Sequence, residues 1–158
     1  MTLWRPLLDV RHSGLPRPQG SLRALVSAST GRAFVKYSDS TVDHRNRLVA
    51  TLRREWDAEP FAEAVALDLH FAFERPLSHF RSGRFSDQMK PSAPRDHIKP
   101  ADLDKLVRLV GDALVIAEVI ADDAQIIKIR AAKEWTEKRG HTKIGVFATP
   151  GWSENCAP

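Results

Sequence analysis

The spacing of apolar residues changes period several times along the chain, and each change marks an element. From Ala64 to Phe73 the large apolar residues Val65, Leu67, Leu69, Phe71 and Phe73 alternate with Ala64, Ala66, Asp68, His70 and Ala72, which predicts a strand with one face in the core. From Thr41 to Trp56 the period is helical. Val42, Val49, Leu52 and Trp56 share a stripe, while Arg45, Arg47, Arg53 and Arg54 lie mostly off it, so a core helix with a basic outer face is expected. Ser40 followed by Asp43 resembles a capping box at its start. A second helix is predicted after Asp102, burying Leu103, Leu106, Val107, Val110, Ala113, Leu114 and Ala117. Pro100 keeps that helix from starting earlier, and Asp102 suits the N-cap, where its carboxylate can accept a backbone N–H. Gly111 costs about 1 kcal/mol against alanine in a helix interior, which points to close packing against a strand or a partner chain.

Shorter runs complete the pattern. Leu7–Arg11 predicts a first strand, and Leu22–Ser27 and Arg32–Tyr37 flank Ala28-Ser29-Thr30-Gly31 as a hairpin. Gln125–Ala132 reads as a strand after a turn at Ala121–Asp123, and Thr142–Ala148 as the last one, after Arg139-Gly140. The sum is an α/β chain of the α+β type: one domain over residues 1–158, with a mixed, mostly antiparallel sheet and about two main helices packed on it. Ser13–Ser21 is a stiff basic loop, residues 74–100 form a long basic loop without apolar periodicity, and residues 149–158 read as a loose tail.

Composition narrows the function classes. No apolar run approaches the roughly 18 residues of a membrane span, and Arg5, Pro6 and Asp9 break the N-terminal stretch as a signal peptide. A cytoplasmic protein with no membrane partner is expected. The lone Cys156 excludes an internal disulfide and a multi-cysteine zinc site. A net charge of +4 leans toward a polyanionic partner, and its distribution says more. Arg17, Arg23, Arg32 and Lys36 either contact phosphate or form a solvated hairpin face. Arg75, Arg81, Arg84, Lys90, Arg95 and Lys99 lead directly into Asp102 and Asp104. That loop either holds a nucleic-acid backbone near a metal or is unstructured in the free protein. His70, with no second histidine at a ligand spacing, reads as a partly exposed strand residue.

The acidic residues carry the candidate chemistry. Asp102 and Asp104 form one corner at a helix start, and Asp122 and Asp123 a second at a strand start. Carboxylates from both suit a hard cation such as Mg²⁺, which takes oxygen ligands and keeps several waters, provided the strand packs beside the helix start. An acidic first turn also needs no metal to explain it. Asp104, Arg108 and Asp112 follow at i, i+4 and i+8, so Asp112 can pair with Arg108.

The string DLDKLVRLVGDAL followed by VIADDAQI resembles the core signature of the RusA-type Holliday junction resolvases. GLPRPQGSLRA, with Arg17 and Arg23, is similar to that family's Gly-x-Pro loop and following basic residue; Tyr37-Ser38 and Lys133 also fit, so the likeness runs from Gly14 to Trp135. The resemblance implies a small α/β homodimer, in a bacterial or phage-infected cell, that cuts four-way DNA junctions with Mg²⁺ or Mn²⁺ by paired symmetric nicks. It implies Asp102, Asp104 and Asp123 as metal-binding and catalytic carboxylates, with Asp112 and Asp122 in support. Arg108 stands where the best-known members carry a catalytic lysine, Lys105 where they carry asparagine, and Ala101 is an added residue in a motif that usually runs Lys-Pro-Asp. Arg108 and Lys133 are expected to neutralise charge during cleavage, and Arg17, Arg23, Lys99, Lys105 and Lys133 to contact DNA. A non-catalytic DNA-binding module on the same fold, or a metal-dependent nuclease with another nucleic-acid substrate, are the alternatives.

Overall fold

The computed structural model describes residues 6–20, 23–36 and 39–149. They form β1 (Leu8–Ser13), β2 (Arg23–Val26), β3 (Ala33–Lys36), α1 (Asp39–Glu55), β4 (Val65–Glu74), α2 (Leu103–Ile116), β5 (Ile126–Thr136) and β6 (His141–Ala148), with 3₁₀ turns at Leu77–His79, Gly83–Phe85 and Asp123–Gln125. The main sheet has the order β1-β6-β4-β5. β6 is antiparallel to both β1 and β4, whereas β5 is parallel to β4. This is the mixed, mostly antiparallel α+β domain with two helices that the periodicities predict. β2 and β3 pair as a separate two-stranded hairpin, closed by Gly31 at φ +66°, whose N–H donates to the Ser27 carbonyl at 2.9 Å.

Register puts one face of every main strand into a single core. Val10, Ile144, Leu69 and Ala131 lie in one cross-strand row. With Leu48, Leu52, Leu106, Leu109 and Leu114 of the helices they join one apolar cluster, the main stabilising term of such a domain. The opposite face carries Asp9, Asp68, His70, Arg130 and Lys143 around an open groove of about 580 Å³, and Arg130 bridges Asp68 through both guanidinium and carboxylate atoms. His70 faces this groove, 38% exposed and 3.4 Å from Glu134, as a strand histidine should.

Several elements run past their predicted ends for identifiable reasons. β1 continues through His12 and Ser13 because His12 takes an inward position and is buried. Its Nδ1 lies 2.9 Å from the Thr51 hydroxyl of α1, and that hydroxyl donates to the Arg47 carbonyl at 3.1 Å. Next to it His44 is also buried, its pKa pushed down to about 4 by burial first and then by His12, Arg47 and Arg17. Of the predicted α1 stripe, Val49 and Leu52 are buried and Trp56 packs against the core, while Val42 is only half-buried; the buried face also takes in Thr41, His44 and Leu48. Ser40 falls inside the first turn of α1 rather than before it. β5 extends to Thr136 because β4 pairs with it to Glu74.

The parallel pair β4–β5 requires a crossover, and residues 75–125 supply it: an arm, then α2, then the Asp123–Gln125 turn. α2 therefore runs antiparallel to the strands it covers. Its middle faces the start of β5, where a Cβ on Gly111 would stand 3.6 Å from Ile126 Cδ1, an ordinary contact. Its start faces Lys133, far along β5. The helix ends with Glu118 at φ +62° and the Val119 N–H bonded to the Leu114 carbonyl at 3.0 Å, a Schellman closure built without glycine.

Candidate functional site

The Asp102 corner sits at the C-terminal ends of the parallel strands, where open α/β sheets commonly place their ligands. Asp102 occupies the N-cap of α2 as predicted, and its carbonyl accepts the Leu106 N–H at 3.1 Å. Its carboxylate makes no capping bond. It turns outward instead, with the Lys105 ammonium 3.0 Å away, so the expected N–H contact is replaced by an exposed ion pair worth a few tenths of a kcal/mol, about 0.3–0.5. Asp104 is exposed in the first turn and Arg108 is exposed one turn on.

Lys133 secures the approach to this corner. Its ammonium donates to the Ala101 carbonyl at 3.0 Å and to the Lys99 carbonyl at 3.2 Å. Ala101, the added residue, is buried and sits at φ +112°, a left-handed conformation that costs an L-residue roughly 1–3 kcal/mol unless its surroundings enforce it. Lys133 is part of that enforcement, and it places a half-buried positive charge just behind Asp102.

The basic segment 74–100 is a folded arm rooted at the same strand ends. His97 lies between Phe73 and Trp135, with ring centroids 4.1 and 4.2 Å away. Burial, opposed by a backbone hydrogen bond, and the Lys133 charge lower its pKa, which keeps the ring neutral for stacking. Trp135 Nε1 donates to the Asp96 carbonyl at 3.1 Å, Arg75 donates to the Pro94 carbonyl at 2.9 Å, and His79 stands edge-on to Trp135. These contacts give the segment a built structure, against the expectation that it is unstructured.

The second acidic group lies at the other end of α2. The Asp122 carboxylate accepts the Ala124 N–H at 2.8 Å and caps the 3₁₀ turn, while the Gln125 side-chain Oε1 accepts from the N–H groups of Ala121 and Asp122. The Gln125 amide donates to the carbonyls of Phe61 and Glu63, both at 2.8 Å. Asp123 is exposed on this turn, and with Asp112, Val115, Ile116 and Asp122 it lines a cavity of about 250 Å³. Asp112 does not pair with Arg108. Its Oδ2 accepts from the Gln19 amide at 2.6 Å, and the Gln19 N–H donates to the Lys105 carbonyl at 3.0 Å. Gln19 thereby pins the loop bearing exposed Arg17 along α2.

The structure thus brings Asp102, Asp104, Lys105, Lys99 and Lys133 together and gathers Asp112, Asp122 and Asp123 elsewhere. Asp104 and Asp112 are eight residues apart on the helix, about 12 Å along its axis. Among the described residues no group of three or more His, Cys, Asp or Glu side chains is placed to hold a metal ion. Arg23 opens β2, but its side chain, like Tyr37-Ser38 and residues 150–158, lies outside what is described. Sequence reasoning missed Gln19 and Gln125. Neither belongs to an amphipathic stripe, and only the fold reveals the carboxylate and carbonyls they meet.

No helix among the described residues is long and apolar enough to cross a membrane. The sequence profile of the family described as "Endodeoxyribonuclease RusA" matches residues 16–146. No curated protein matches the chain.

Proposed function

The chain belongs to the RusA family of junction-resolving endodeoxyribonucleases, and from that premise we propose a homodimer that uses Mg²⁺ or Mn²⁺ to cut four-way DNA junctions by paired symmetric nicks. The observation that carries this reading is the exposed Asp102–Asp104 pair at the root of a folded cationic arm. The donor set is all carboxylate oxygen, which fits a hard divalent cation; such ions need only one or two carboxylates beside water and substrate phosphate. Asp102, Asp104 and Asp123 would hold it. When bound, the cation polarises the scissile phosphodiester and favours ionisation of water. Arg108, exposed beside the corner, neutralises phosphoryl charge bidentately. Lys133 adds positive charge from behind and fixes the backbone, and Arg17, Arg23, Lys99 and Lys105 contact the DNA backbone.

A two-fold dimer offers a way to reunite the acidic groups. Within the described residues β5 is an edge strand, with Ile127 65% and Ile129 46% exposed; a long apolar edge invites strand pairing. Antiparallel pairing of two β5 edges would bring the Asp123 end of one protomer opposite the Lys133 end of its partner. Two equivalent sites follow, matching a two-fold substrate. A labelled junction incubated with Mg²⁺ should then be nicked on two opposed strands, and Asp102→Asn/Asp104→Asn should bind it without cutting. An intact junction with both proteins would refute the reading. The separation of the carboxylates in one protomer favours a second reading, a non-catalytic DNA-binding module; saturable Mn²⁺ binding, abolished in that double variant, excludes it.

A further inference from the structure

We propose that the tip of the arm is a separate DNA-contact site, in which Phe85, backed by Arg84, stacks on the free face of a base at the branch point. This rests on the function proposed above and concerns how a branch is told from a continuous duplex. The arm is a small hairpin. Phe80 and Met89 bridge antiparallel, the Arg81 N–H donates to the Gln88 carbonyl at 2.8 Å, and the Lys90 N–H donates to the His79 carbonyl at 2.9 Å. Gly83 at φ +64° sets the turn, and the Ser86 and Gln88 N–H groups close it on the Gly83 and Phe85 carbonyls. The tip is therefore closed by its own backbone hydrogen bonds, and residues 81–90 are all exposed.

What the tip holds out is unusual for a solvated turn. Phe85 is 39% exposed, and the Arg84 guanidinium lies 4.7 Å from its ring centroid. Arg81 and Lys90 flank it, against Asp87 alone. The root is fixed within the arm and to the end of β5: the Lys90 ammonium donates to the Ser78 carbonyl at 2.9 Å, and His79 packs on Trp135. Cations suffice for phosphate. A phenyl ring with a guanidinium on one face offers what a nucleobase takes up, a flat stacking surface. A linear duplex has no free internal base face, whereas a branch point has. Phe85 thus contributes to branch preference, and Arg84 and its neighbours to general DNA affinity.

The test compares a four-way junction with a linear duplex of the same arm sequence, by fluorescence anisotropy in EDTA so that nothing is cut. Phe85→Ala should weaken junction binding about tenfold, within the range for one base–aromatic stack, and leave duplex binding unchanged. Phe85→Trp should restore it. Arg84→Gln should weaken both substrates alike and reduce the salt slope by about one. Equal losses on the two substrates with Phe85→Ala, no loss on the junction, or a lowered Tm overturns the inference. If the wild type nicks the junction in Mg²⁺ while Phe85→Ala binds it normally, only this inference fails; a wild type that neither binds nor nicks it refutes the proposed function as well.

Discussion

Replacing Lys133 with methionine removes an ammonium but keeps most of the aliphatic stem, so it isolates the clamp on the two carbonyls before α2. Lys133 makes hydrogen bonds of 3.0 and 3.2 Å to the Ala101 and Lys99 carbonyls. Bonds involving a charged group contribute roughly 1.5–3 kcal/mol each when buried. Lys133 is only half-buried, so the pair together should contribute about 2 kcal/mol, with water replacing part of the loss. For a chain of this length that is a fall in Tm of about 4–8 °C. Urea unfolding at fixed temperature measures it, with an unchanged m-value required. Lys138→Met on the exposed turn before β6 is the control and should stay within about 0.5 kcal/mol of wild type. A Lys133→Met variant as stable as that control would refute the clamp.

The other predictions follow from single contacts. His44 stays neutral in the fold with its pKa lowered to about 4, so the unfolded chain binds the extra proton. Stability is fully present above pH 6.5 and falls as pH drops toward 4, by about 2 kcal/mol after allowance for screening. His44→Gln should flatten that part of a urea-midpoint profile, and an unchanged slope would rule the histidine out. Gln125→Ala loses contacts to four backbone groups and should cost about 2–3 kcal/mol; Gln125→Glu, which cannot donate to the Phe61 and Glu63 carbonyls, should do no better. Gly111→Ala should stabilise by about 0.5–1 kcal/mol, because its Cβ meets Ile126 at an ordinary 3.6 Å; destabilisation in the same unfolding assay would show that the helix cannot accept it.

Elements whose apolar residues repeat were legible from the sequence: β4, α2 and the β2–β3 hairpin lie within a residue or two of their predicted bounds. What escaped was set by partners distant in sequence. His12 and His44 belong to no predicted apolar stripe, yet the fold buries them side by side. The arm has no period because its structure comes from Arg75, His97 and Trp135 holding it to the strand ends. The acidic residues carried an expectation of chemistry in the sequence but no geometry. An Asp-Leu-Asp corner and an Asp-Asp turn eighteen or more residues apart bracket a helix that must run back along a parallel crossover, so their separation in one chain follows from the β4–β5 pairing and not from any local signal.

The most direct test mixes defective protomers. Asp102→Asn/Asp104→Asn and Asp123→Asn chains, differently tagged, are purified as a heterodimer and given a labelled four-way junction with Mg²⁺. If the carboxylates meet across a two-fold axis, one of the two sites regains all three, and the heterodimer should place single nicks where the wild type places pairs. Both homodimers should be inert. A heterodimer that binds the junction and leaves every strand intact would contradict the account.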